Sequence, residues 1–106
     1  AASSTRAVFQ CGHYDGSAAS DVMEFVTVAS TGNATDFGNL ATAVQDAAGT
    51  SNGTLGEFFG GTIASGQGTN VCQTITIAST GNASDTGDIA HAPSGKIIGV
   101  AATSGT

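Results

Sequence analysis

Charged residues are scarce in this chain of 106 residues, and positive charge is the scarcest of all. Arg6 and Lys96 face eight Asp or Glu residues, which gives a formal net charge of −6. A nucleic-acid surface needs clustered Lys and Arg to displace counterions, and an anionic membrane attracts the same residues. The composition therefore argues against nucleic-acid and membrane partners.

Long apolar runs are also missing, because none approaches the roughly 18 residues of a membrane-spanning helix. The opening residues, AASSTRAVF, lack the basic and then apolar layout of a signal peptide. The first Ala fits either removal of an initiator Met or excision from a longer chain, and the sequence leaves both open.

Trp is absent and Pro occurs once, but Gly occurs 16 times and 40% of the chain is hydrophobic. A hydrophobic fraction of this size argues against disorder. In FVTVA and TITIA polar and apolar residues alternate, which is the period of a strand with two different faces. The best helical candidate, AVQDAA at 43–48, is short and has no cap. We therefore predict an all-β protein.

The segment VTVASTGNATDFGNL at 26–40 returns as ITIASTGNASDTGDI at 75–89, which is 49 positions later. Nine of the fifteen aligned pairs are identical. The same register aligns further pairs: Thr5 with Thr54, Phe9 with Phe58 and Gly12 with Gly61. Self-similarity at a fixed distance is the signature of a repeat architecture.

We predict one domain, with repeat one at about 1–49, repeat two at about 50–93 and a tail strand at about 94–106. Each repeat is predicted to contain a strand, a loop, a second strand, a polar turn and a third strand. The predicted bounds are 5–12, 13–20, 21–29, 30–38 and 39–44 in repeat one, and 54–61, 62–69, 70–78, 79–87 and 88–92 in repeat two.

Three features resemble the kelch repeat. They are the Gly60–Gly61 pair that ends a strand, the strand that follows it and the polar turn that leads to Phe37. That repeat forms one four-stranded propeller blade of about 50 residues. Repeat one departs from it with Cys11 and Gly12 in place of the Gly pair, and repeat two has Thr86 in place of the aromatic residue. The stretches ASTGNATDFGNL and STRAVF are similar to kelch-like repeats in structural proteins of tailed phages, especially cyanophages.

This resemblance implies a non-enzymatic virion protein of a capsid, tail or fibre, built as a β-propeller. A blade buries its faces by stacking on its neighbours, and propellers close rings of about 4–8 blades. Two blades leave two apolar faces open, so we expect cyclic self-association. We favour a homotrimer with a six-bladed ring, while a four-bladed dimer and a fragment of a longer array remain alternatives. The tail strand near Ile97–Val100 would then complete a blade.

His13, Tyr14 and Asp15 are the candidate ligand contacts, because the corresponding residues of repeat two, 62–64, carry little chemistry. The alternative for these three is an exposed loop with no ligand. Neither imidazole, His13 nor His91, accompanies a nucleophile motif such as G-x-S-x-G. We therefore predict no catalytic residue and no cofactor.

The repeated turn is predicted to be structural, with side chains that cap their own turn. Its residues are Gly32, Asn33, Asp36 and Gly38, and Gly81, Asn82, Asp85 and Gly87. With Asn39 and Asp88, the repeated Asn and Asp side chains could be read as Ca²⁺ ligands, but few of them are ionised and we predict no metal. Asn33, Asn52 and Asn82 match the glycosylation pattern, which we attribute to turn composition.

Cys11 and Cys72 are predicted to be small core residues of strands, and their spacing does not indicate a disulfide. A second hypothesis for function is a carbohydrate-binding module for attachment to host glycans. It needs an aromatic platform in each repeat. Phe9 and Phe58 are predicted to lie in the core and Phe37 is replaced by Thr86, so Tyr14 is the residue left to carry that hypothesis.

Overall fold

The computed structural model describes residues 1–14 and 18–90. All regular elements in these residues are strands, which confirms the all-β prediction. The strands are β1 (Arg6–Gln10), β2 (His13–Tyr14), β3 (Ala18–Thr27), β4 (Thr35–Val44), β5 (Ala48–Ser51), β6 (Leu55–Phe59), β7 (Val71–Thr76) and β8 (Ser84–Asp88). Within the described ranges no helix is long and apolar enough to cross a membrane.

The strands form two antiparallel sheets, one from each repeat. In the first sheet β3 is central, with β1 and β2 along one edge and β4 along the other. The second sheet is a meander in the order β5-β6-β7-β8. The sheets therefore share the arrangement of a central strand that pairs with the strand before it and the strand after it.

Strand pairing repeats with the same offset of 49 positions as the sequence. Arg6 pairs with Thr27 in the first sheet as Leu55 pairs with Thr76 in the second. The register shift that follows Met23 recurs after Cys72. The isolated bridge between Ala2 and Ala7 likewise corresponds to the pairing of Ser51 with Gly56 in β5 and β6. The sequence repeat is therefore a repeat of strand register.

Several predicted bounds are wrong. The predicted turns at 30–38 and 79–87 are too long, because β4 begins at Thr35 and β8 at Ser84. Thr35 and Ser84 pair with the central strands, and ladder bonds outweigh the local turn preference of these segments. The predicted loop at 13–20 contains β2 and the start of β3, which form a hairpin. The tail strand predicted at 94–106 lies outside the described residues.

One hydrophobic core lies between the two sheets. The first sheet contributes side chains from β1, β3 and β4, and the second from β6, β7 and the residues that flank β7 and β8. The buried members are Val8, Met23, Phe37, Leu40, Val44, Phe58, Ile75, Ile77 and Ala83. Each sheet thus buries one face against the other sheet.

Candidate functional site

The sheets pack with unlike faces together. In the first sheet the buried residues Val8 and Met23 belong to one face, which we call the front face. In the second sheet the counterpart of Val8 is Glu57, so Glu57 belongs to the front face. Side chains alternate along a strand, so Phe58 belongs to the opposite, back face, as do the buried residues Gln73 and Ile75. The junction therefore joins the front face of the first sheet to the back face of the second.

The repeated turn of the second repeat lies along the outer edge of β4. The Gly81 N–H donates to the Phe37 carbonyl at 2.7 Å, and the Ala83 N–H donates to the Asn39 carbonyl at 2.8 Å. Between them, the Asn39 N–H donates to the side-chain Oδ1 of Asn82 at 3.0 Å. This order is that of a parallel ladder in which a side chain supplies one acceptor. The turn thereby covers part of an exposed sheet edge.

Gly38 lies where this turn comes closest to β4. A Cβ atom at Gly38 would stand 2.6 Å from the carbonyl carbon of Gly81, and the φ of Gly38 is +138°. Both facts favour glycine. Its counterpart Gly87 has a φ of +135°, but a Cβ there would meet no described atom within 4 Å. The repeated glycine is therefore required by close packing in the first repeat only.

Gln73 connects the sheets from within the junction. Its side chain is 1% exposed, and its amide forms two hydrogen bonds with the backbone of Thr42. Oε1 accepts from the Thr42 N–H at 2.7 Å, and Nε2 donates to the Thr42 carbonyl at 3.1 Å. A buried amide is stable only when it is paired in this way. Glu24, the counterpart of Gln73, is half-buried on the back face of the first sheet.

Arg6 also crosses the junction. Its Nη1 donates to the Ile77 carbonyl at 3.0 Å, and its guanidinium carbon lies 4.2 Å from the centre of the Phe25 ring. Phe25 in turn meets Phe37 edge to face, with ring centres 6.0 Å apart. The cation is thus held by a carbonyl and an aromatic face, and both interactions favour Arg at this position.

The back face of the first sheet has no sheet over it among the described residues. Phe9 is 52% exposed, whereas its counterpart Phe58 is 4% exposed. Val28 is 58% exposed, whereas its counterpart Ile77 is fully buried. The prediction that Phe9 belongs to the core is therefore wrong, because no described sheet packs against the face that carries it.

The front face of the second sheet is open in the same way. Leu55 is 45% exposed, and it lines a groove of about 230 Å³ with Glu57 and Thr74. The counterparts of these three residues, Arg6, Val8 and Phe25, all lie at the junction. The two open faces are thus the outer counterparts of the two faces that meet inside the chain.

Among the predicted ligand contacts, the structure describes the side chain of His13. His13 is exposed and begins β2, which pairs with Ala18 and Ala19 of β3. The backbone of Tyr14 is in β2, but its side chain and the whole of Asp15 lie outside the described residues. The proposal that these three contact a ligand stays a prediction.

The predicted turn residues have two different roles. Asp85 Oδ1 accepts from the Gly87 N–H at 3.0 Å, which is a cap within its own repeat. Asn82 instead bonds across the junction to Asn39, whose Nδ2 donates to Asp21 at 2.9 Å. Within residues 1–14 and 18–90, no three His, Cys, Asp or Glu side chains are grouped as a metal site would need.

The two cysteines are free thiols. Cys11 is exposed in the break between β1 and β2, so the prediction of a core strand residue is wrong for it. Cys72 lies half-buried in β7 on the front face. Burial raises the pKa of both thiols, and a nearby carboxylate raises it further: Glu24 for Cys11, and Glu57 for Cys72. A raised pKa disfavours the reactive thiolate.

Comparison of this chain with protein-family models, with curated proteins and with solved structures gives no match.

Sequence reasoning missed the role of Gln73, although the pattern contained a signal for it. Gln73, Ile75 and Ile77 alternate along one strand, which places the amide on the same apolar face as the two isoleucines. A polar residue in such a row is a candidate for a buried hydrogen bond. The role of Asn82 had no such signal, because its partner lies 43 positions away on the other sheet.

Proposed function

We propose that this chain is a non-enzymatic structural protein of a phage virion, in which its two repeats act as kelch-like propeller blades. Copies of the chain associate into a closed ring, and the homotrimer with six blades is the favoured form. The ring would be attached to a capsid, tail or fibre. The open back face of the first sheet, with Phe9 and Val28 on the surface, is the observation that carries this proposal.

The stacking of front face on back face supports the proposal of blades. The chain has an open back face at one end and an open front face at the other. Copies with two such unlike ends can stack without limit, as in solenoids, or close into a ring. Two identical faces at the ends would give only a pair. The arrangement of the sheets thus fits an assembly built from many copies, as virion components are.

Native mass spectrometry of the isolated chain at about micromolar concentration tests the ring. We expect one species of three chains, and a species of two would point to the smaller ring of four blades. A chain that stays monomeric over the whole accessible concentration range would contradict the self-closing ring. Co-purification with intact particles, checked by mass spectrometry of washed virions, tests the assignment to a virion.

Carbohydrate binding is the second candidate, and one observation favours it. Phe9 is exposed and pairs across the strands with Glu24, so an aromatic and a carboxylate residue share one face, and ligand sites combine aromatic side chains with a few polar groups. A glycan array with wild type, Phe9→Ala and Tyr14→Ala would test it. Binding that either substitution abolishes would favour attachment to glycans, and absence of binding would leave the assembly proposal alone.

A further inference from the structure

We propose that a second copy of the chain docks head to tail on the first, with its turn at 30–34 lying along the outer edge of β8. In this interface Asn33 of one copy binds the backbone of Asp88 of the other and so determines the register. This inference rests on the self-association proposed above, and it names the surfaces and the residue that would direct it.

The internal junction supplies the template for this interface. The turn of the second repeat is bonded to the edge of β4 through the backbone of Gly81 and Ala83 and through the side chain of Asn82. The acceptors and the donor on β4 are the backbone groups of Phe37 and Asn39. Those groups point away from β3, which leaves them available to a neighbouring segment.

Moving each template residue by one repeat gives the proposed contacts. Residues 37 and 39 become Thr86 and Asp88 on β8, which occupy the same register positions against β7. Their outward backbone groups are therefore placed as those of β4 are. Asp88 is exposed, and none of its outward groups is bonded to another described residue.

The donor side of the interface is present on the turn of the first repeat. Gly32, Asn33 and Ala34 have the same identities as Gly81, Asn82 and Ala83. Ala34 is exposed, whereas Ala83 is 8% exposed. The side chain of Asn33 has no hydrogen bond to any described residue. The turn thus carries the residues that bind a strand edge, and none of the described strands has its edge beside this turn.

The two open sheet faces come together in the same docking step. If the turn lies on β8, the back face of one copy covers the front face of the other, as inside the chain. Arg6 reaches the carbonyl of Ile77 across the junction, so Leu55, at the position equivalent to Arg6, would lie beside Val28 of the second copy. Leu55 and Val28 are both exposed side chains that this contact would bury.

The interface between copies is expected to be weaker than the internal junction. Three apolar residues of the first front face are replaced in the second by polar ones: Val8 by Glu57, Phe25 by Thr74 and Phe37 by Thr86. Less apolar surface is then removed from water. Association should therefore be reversible and depend on concentration, which makes it measurable.

Sedimentation velocity over a range of concentrations, for wild type and Asn33→Ala, tests the role of the turn. Loss of one interface hydrogen bond should raise the dissociation constant by about tenfold. Gln67→Ala is the matched control, because it removes an exposed side-chain amide from a loop outside both surfaces and should change nothing. Equal association of all three proteins would overturn the inference.

A disulfide staple locates the contact directly. The ladder places Leu40 opposite Ala83 in the junction, so Ile89 should lie opposite Ala34 of the second copy. In a background with both native cysteines changed to serine, Ala34→Cys combined with Ile89→Cys should give disulfide-linked chains. Either substitution alone should give much less. Footprinting adds a second readout in the wild type, because alkylation of Cys72 on the front face should slow as the chain associates.

The outcomes separate this inference from the proposed function. If oligomers form but the disulfide does not, and if Asn33→Ala leaves their association unchanged, then self-association stands and the proposed interface is overturned. A chain that is monomeric at every concentration would overturn both. A third outcome is a monomer in which the cysteine introduced at Ile89 is protected only while residues 91–106 are present. It would show that the chain's own C-terminal segment covers the β8 edge, and it would also overturn the inference.

Discussion

The two back faces of this protein have equivalent residues and opposite environments. Phe58 and Ile77 of the second sheet are buried at the junction, whereas Phe9 and Val28 of the first sheet are largely exposed. The strands that carry them have the same register. Burial of a repeat face therefore depends on whether a neighbour covers it, and local sequence does not settle that.

The two front faces differ in sequence as well as in environment. The first is apolar around Val8 and Met23, whereas the second carries Glu57 and Cys72 at the equivalent positions. The first front face is buried at the junction, where apolar residues are removed from water, whereas the second is exposed in the free chain, where polar residues favour solubility. The comparison thus fits a permanent contact inside the chain and the reversible contact between copies that we propose.

The largest effect is expected from Phe58→Ala, with Phe9→Ala as its matched control in the other repeat. Removing a buried Phe side chain should lower the free energy of unfolding by about 3–5 kcal/mol, through lost burial and the cavity left behind. Phe9→Ala should lower it by less than about 1 kcal/mol in the monomer. Urea unfolding at a concentration below association measures both. Similar losses for the two variants would contradict the difference in burial.

Gly38→Ala and Gly87→Ala form the second pair. Both substitutions place a side chain at a positive φ, which should cost about 1 kcal/mol. Gly38→Ala also forces a Cβ against the backbone of Gly81, and this clash should add about 1–3 kcal/mol. The difference between the two unfolding free energies isolates the clash. If the losses were equal, the turn would not lie as close to β4 as described.

Gln73→Ala should cost about 2 kcal/mol, because it leaves the part-buried N–H and carbonyl of Thr42 without these partners. Glu24→Ala, at the equivalent position, removes a half-buried side chain and should cost less than about 0.5 kcal/mol. Chemical denaturation gives both values. Amide hydrogen exchange at Thr42 provides a local readout, and it should speed up in Gln73→Ala alone.

The smallest effect concerns the cysteines. Burial and the Glu57 carboxylate raise the pKa of the Cys72 thiol. Its alkylation at about pH 8 should therefore be slower than that of a fully solvated cysteine, and the rate should keep rising above about pH 9. Glu57→Gln removes one negative charge, lowers the pKa and should speed the reaction of Cys72. Peptide mapping after alkylation reads each thiol separately. Cys11, whose pKa is raised by burial and Glu24, should react at an unchanged rate.

Much of the fold could be predicted from the sequence, because residues that repeat at a fixed spacing indicate strands that pair in the same register. The alternation around Ile75 and Ile77 identified a strand with one apolar face, and the Gly-rich turns marked where strands reverse. The prediction for Phe9 is wrong because alternation shows which face is apolar and cannot show whether another sheet covers it. The sequence predicts a turn at Thr35 because local propensity does not reveal its partner on β3.

By itself, the sequence determined the all-β class, the 49-residue spacing and the residues that are able to form the repeated turn. These follow from local chemistry, since side-chain alternation and backbone freedom act within a few residues. Only the tertiary structure decided that the front face of one sheet meets the back face of the other, and that Asn82 bonds to the edge strand of the preceding repeat. Such contacts depend on groups far apart in the chain, whose approach is set by how two whole sheets pack.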